Sequence, residues 1–184
     1  WQQYAQEKGI DTPVNAIVAI EDRLYVATDA GLAVIHKNEV DTTVRTDMRT
    51  PASAIISMAL EQDVPGTSEE PILWLQGWNW IGTYHQGRFT LIEDQVPLTS
   101  GLMPIRIQPD GIGGVFYGNL DGVYTTDRPN QVPQFIGKAN GLIADGVTAF
   151  LRDREYNLWI AGLRGVSKIY DRRFLTYHKE HGLL

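Results

Sequence analysis

Cysteine is absent from the 184 residues. Its absence excludes disulfide staples and thiolate metal sites, and it is compatible with an oxidising compartment. No apolar run approaches the roughly 18 residues a membrane-spanning helix needs. No segment reads as a secretory signal. Positive charge is in short supply: 16 Lys and Arg face 22 Asp and Glu, a net charge of −6. Recognition of a nucleic-acid backbone therefore has no electrostatic support. No stretch sustains a 3.6-residue apolar period, which removes helical solenoids and bundles. Also missing are a nucleophile paired with a base, a carboxylate dyad of defined spacing, a phosphate-cradling glycine loop and a zinc-ligand spacing. The expectation is no catalytic residue, no metal and no cofactor.

What is present is repetition. An aliphatic-aromatic pair returns at Leu24-Tyr25, Leu73-Trp74, Val115-Phe116 and Leu158-Trp159, spaced by 49, 42 and 43 residues. Gly31, Gly122 and Gly165 follow seven positions after three of the aliphatics, and Trp80 takes that place in the second copy. A period of this size marks a supersecondary unit that must stack on copies of itself to bury its apolar face. An apolar content of 43% supplies the core, while 18 Gly and 9 Pro supply frequent turns.

The fourth copy shows the unit most plainly. Val147 to Leu151, Leu158 to Ala161, Val166 to Tyr170 and Phe174 to Tyr177 are short runs of β-branched and aromatic residues. Asp, Asn and Gly separate them, so the unit reads as four strands joined by tight turns. In the other copies, first strands end in Ala19-Ile20, Ala59-Leu60 and Arg106-Ile107. Third strands open at Leu32, Ile81 and Val123, and fourth strands at Val40, Phe89 and Phe135. A repeated four-stranded antiparallel unit of this length is the sequence signature of a β-propeller blade. Stacked blades would bury the column Tyr25, Trp74, Phe116 and Trp159. A β-sandwich with accidental periodicity is the alternative architecture.

The repeats run approximately over 11–46, 52–93, 102–137 and 142–177. Trp1-Gln2-Gln3-Tyr4 matches Phe174-Leu175-Thr176-Tyr177, offset by 173 residues. Hence 1–10 is expected to complete an upstream blade and 178–184 to enter the next. The chain begins on Trp1, not Met, and reads as a processed or excised piece of a larger ring.

Asn140-Gly141-Leu142, Val147, Asp153, Asn157 to Gly162, Gly165-Val166 and Tyr170-Asp171 together resemble the two-component regulator propeller repeat. The first copy fits through Ile17, Asp22, Leu24 to Thr28 and Gly31-Leu32. The second departs most, with Trp80 in place of glycine. The resemblance implies a seven-bladed ring, the periplasmic sensor propeller of a membrane-anchored bacterial receptor, with a histidine kinase or diguanylate cyclase as output. It implies recognition and not catalysis. The ligand would be a small or oligosaccharide-like molecule, or adjacent receptor domains would dock there, and a dimer is compatible. A protein-binding scaffold propeller and a propeller lyase or hydrolase are the alternative functions.

Propellers receive ligands on the face formed by the second-to-third turns and the fourth-to-first connections, because rigid scaffolds present their loops there. Here that face includes Asp29-Ala30, Trp78-Asn79-Trp80, Asn119-Leu120-Asp121 and Leu163-Arg164, with Thr12, Met103 and Asp145 nearby. Trp78 and Trp80 offer flat rings for a sugar or another apolar face, or else pack against a neighbouring blade. Asn79 contacts ligand or supplies a left-handed turn. Arg106, aligned with Ala19, Ala59 and Ala149, lines the channel and meets an anion or carboxylate, or pairs with Asp110 or Glu61. Asn119 and Arg164 complete the candidate ligand-binding set, Arg164 being otherwise a solvated turn residue.

His36 and His85 hold equivalent places near the third-to-fourth turn, a habit of the repeat and not a metal pair. His178 and His181 would converge only on a helix. Glu69-Glu70 reads as a solvated face. Asp22, Asp110 and Asp153 mark first-hairpin turns, where their carboxylates bind nearby backbone.

Overall fold

The computed structural model describes residues 8–41, 54–61, 71–94, 96, 106–118, 121–126, 133–143 and 146–170. Among them, fifteen strands form four antiparallel sheets, each in simple sequence order. Blade 1 is β1 (Val14–Ile20), β2 (Arg23–Thr28), β3 (Gly31–His36) and β4 (Glu39–Asp41). Blade 2 is β5 (Ser57–Glu61), β6 (Ile72–Gln76), β7 (Ile81–His85) and β8 (Arg88–Glu93). Blade 3 is β9 (Arg106–Pro109), β10 (Val115–Gly118), β11 (Val123–Thr126) and β12 (Gln134–Ile136). Blade 4 shows β13 (Val147–Arg152), β14 (Leu158–Gly162) and β15 (Gly165–Ile169). The segments expected as outer strands at each end, Trp1 to Tyr4 and Phe174 to Tyr177, lie outside the described residues. One turn of 3-10 helix, Lys138–Asn140, precedes blade 4.

The chain packs as two compact units, the first built on residues 1–97 and the second on most of the remainder. Each unit joins two blades by the same rule. Strand alternation puts Tyr25 and Ala27 on one face of β2, and Leu24 and Val26 on the other. In the first unit the Tyr25 face of blade 1 meets Leu73 and Leu75 of blade 2, in a core with Ala27, Leu32, Ile55 and Trp80. In the second unit Phe116 of blade 3 packs with Leu158 and Ile160 of blade 4, around Val123, Ile136, Leu142 and Val147. The first strands of each pair, β1 with β5 and β9 with β13, lie side by side. A column aromatic facing the next blade's aliphatic second strand is thus the stacking unit, and apolar burial between sheets drives it.

The register corrects one alignment. Phe116 pairs with Gln108, and Arg106 with Gly118. Trp74 pairs with Ala59, and Tyr25 with Val18. Arg106 therefore opens its strand and is equivalent to Ala16, Ser57 and Ala149, not to Ala19 and Ala59. The frame slips because the hairpin loops differ in length.

Carboxylates close the first hairpins, as expected for Asp110 and Asp153. Gly114 N–H donates to Asp110 Oδ1 at 2.8 Å. Asp153 Oδ1 accepts from the N–H groups of Glu155 at 3.0 Å and Asn157 at 2.9 Å, while Trp159 Nε1 donates to Asp153 Oδ2 at 2.8 Å. Asp22 differs: its Oδ2 lies 2.8 Å from His36 Nε2, which ties the first hairpin to the end of β3. In blade 2 the closing group is Glu61, two residues past the partner of Trp74 as Asp153 is two past the partner of Trp159. Trp74 Nε1 donates to Glu61 Oε2 at 2.7 Å.

Hydrogen bonds from the Asn157 side chain, then from Trp159, hold the Asp153 carboxyl down to about 2, below the ordinary 3.8. A depressed folded-state pKa stabilises the fold above the unfolded value and loses that contribution as pH falls. The window therefore runs from about pH 4 downward through about pH 2. Asp153→Asn is expected to flatten the loss of thermal stability over that window, as read from melting curves across it. An unchanged pH dependence contradicts this role.

Candidate functional site

The second-to-third turns carry the candidate residues. In blades 1 and 4 the turn is two residues long, closed by the Thr28–Gly31 and Gly162–Gly165 pairs. Gly31 and Gly165 take φ of 106° and 146°, a region where a side chain is strained. Blade 2 keeps the same layout, with Gly77 N–H donating to Trp80 O at 3.0 Å around Trp78-Asn79. Trp78 and Asn79 thus stand where Asp29 and Ala30 stand in blade 1, and where Leu163 and Arg164 stand in blade 4.

The first unit braces its turns. Asn15 Nδ2 donates to Asp29 Oδ1 at 2.8 Å and to Ile55 O at 3.0 Å. Ile55 N–H donates to Thr28 O at 3.0 Å, and Val96 N–H to Asn79 O at 2.9 Å. The sequence reading missed Asn15. Its signal was a lone amide in an otherwise apolar first strand, one turn from an acidic residue.

The two tryptophans separate. Trp78 is 43% exposed at the turn tip, and Asn79 beside it is exposed. Trp80 is fully buried, edge-on to Phe89 at 5.6 Å and 89°. The Trp80 ring covers Gly77, where an added Cβ would meet its Nε1 at 1.9 Å. Its ring faces are spent in the blade 1–blade 2 core, so the exposed group at this turn is Trp78 with Asn79. Among the described residues, the non-glycine positions with positive φ are Glu21, Lys37, Asn38, Gln86 and Tyr156. Asn79 is therefore no substitute for the left-handed glycine.

In the second unit Arg106 and Arg164 are both exposed. Of the carboxylates considered for it, Glu61 accepts from Trp74 and Asp110 from Gly114. Thr12 is half-buried. Asn119, Leu120, Met103, Asp145, His178, His181, Glu69 and Glu70 lie outside the described residues. What the exposed groups offer is recognition chemistry: an indole beside an amide in one unit, and two guanidinium groups in the other.

Among the described residues, no three His, Asp or Glu side chains gather as metal ligands. No helix among them is long and apolar enough to cross a membrane.

No protein-family model matches the chain, and no curated protein matches it. Solved structures do. The extracellular domain of the putative one component system BT4673 from B. thetaiotaomicron superposes with a TM-score of 0.60 at 18% identity, over 85% of this chain and 21% of that one. The extracellular domain of the putative hybrid two component system BT3049 from the same organism gives 0.59 at 19% identity, over 85% and 21%. The computationally designed Ika4 protein gives 0.60 at 12% identity, over 92% of this chain and 98% of that one. The chain spans about a fifth of the length of the two bacterial domains. The resemblance read from the repeats thus holds at the level of fold. The chain is a run of β-propeller blades, an architecture it shares with these extracellular domains.

Proposed function

We propose that this chain serves as a periplasmic recognition module of a bacterial signalling receptor, with its second-to-third turns as the receiving surface. The single observation that carries the reading is the exposed Trp78 indole beside Asn79, on a turn whose neighbours are braced by Asn15, Ile55 and Val96. Rigid turns lower the ordering cost of binding, and an amphipathic ring suits the apolar face of a small or oligosaccharide-like ligand. The likeness in fold to extracellular domains of putative two-component systems supports the location and the role. Ligand bound preferentially in one packing state would shift a kinase or cyclase equilibrium in the whole receptor by that difference in affinity.

Titration of oligosaccharide fragments followed by tryptophan fluorescence tests the reading. Trp78→Ala is expected to weaken binding at least tenfold, about 1.4 kcal/mol, with the melting temperature unchanged because the ring is 43% exposed. Undiminished affinity in a folded Trp78→Ala variant rejects the receiving surface.

A protein-binding scaffold is the second reading. The exposed apolar side chains Leu151, Leu163, Val166 and Tyr170 of blade 4 favour it. It requires a protein partner whose binding is lost with Leu163→Asp or Tyr170→Ser and is indifferent to Trp78.

A further inference from the structure

We draw no further inference here: the strongest candidate, the sheet face of blade 4 on which Leu151, Val166 and Tyr170 are exposed, carries nothing because nothing in the structure shows what covers it.

Discussion

Trp80→Ala is expected to destabilise the first unit by about 3–5 kcal/mol, the range for removing a large aromatic from a packed core. The ring is fully buried among Ala27, Leu32, Ile55, Leu73 and Leu75, and its edge contact with Phe89 adds to the area term. The other described blades have glycine at this repeat position, yet a Trp80→Gly change that restores the repeat pattern offers no rescue. It would leave the same cavity and add backbone freedom to the unfolded chain. Gly77→Ala approaches the same contact from the opposite side, because its methyl would fall 1.9 Å from the indole nitrogen. Both changes should lower the urea midpoint, and hydrogen exchange should place the loss in β2, β3, β6 and β7. Trp80→Ala with an unchanged midpoint would mean that the indole is not buried here.

The second large effect belongs to the other unit. Gly118 closes β10 opposite Arg106, and an added Cβ would lie 2.8 Å from Val147 Cγ1 and 3.0 Å from Phe150 Cζ. The close approach of blade 3 to blade 4 depends on that missing side chain. Gly118→Leu is expected to cost at least the roughly 1–3 kcal/mol typical of overpacking, by forcing the Phe116 and Leu158 faces apart. Gly118→Ala should cost less. Combining it with Val147→Ala should recover part of the loss, so the two changes are non-additive. Strictly additive effects would show that Gly118 and Val147 do not touch.

Strand positions were legible because each blade repeats the same aliphatic-aromatic pair and turn chemistry. Residues whose neighbours come from another strand or blade were harder to read. Trp80 looked like a turn residue because its repeat position elsewhere holds glycine. The clue to its burial was Gly77, whose bare backbone makes room for the ring. Arg106 was misplaced by three positions relative to blade 1, because the first hairpin of blade 3 has a five-residue loop, Asp110 to Gly114, where blade 1 has two residues, Glu21 and Asp22. Glu61 went unrecognised as a hairpin closure because it is a glutamate at the end of a strand, and only the register sets it beside the Trp74 indole. The pairing of Asp22 with His36 was within reach of the sequence, since the two-residue turn between β2 and β3 brings Arg23, the neighbour of Asp22, opposite His36. Of the site residues, Trp78 and Arg164 were placed correctly on turns because turn position follows from repeat length alone.

Methyl- and aromatic-resolved nuclear Overhauser spectroscopy examines the stacking rule itself. The account requires cross-peaks between the Tyr25 and Tyr84 rings, whose centroids lie 6.1 Å apart, and between the Gly118 α-protons and the Val147 methyls. Both must appear together with the ordinary cross-strand peaks inside each sheet. Intact cross-strand peaks with both interblade sets missing would mean four sheets that do not stack as aromatic face on aliphatic face, and the propeller reading would fall.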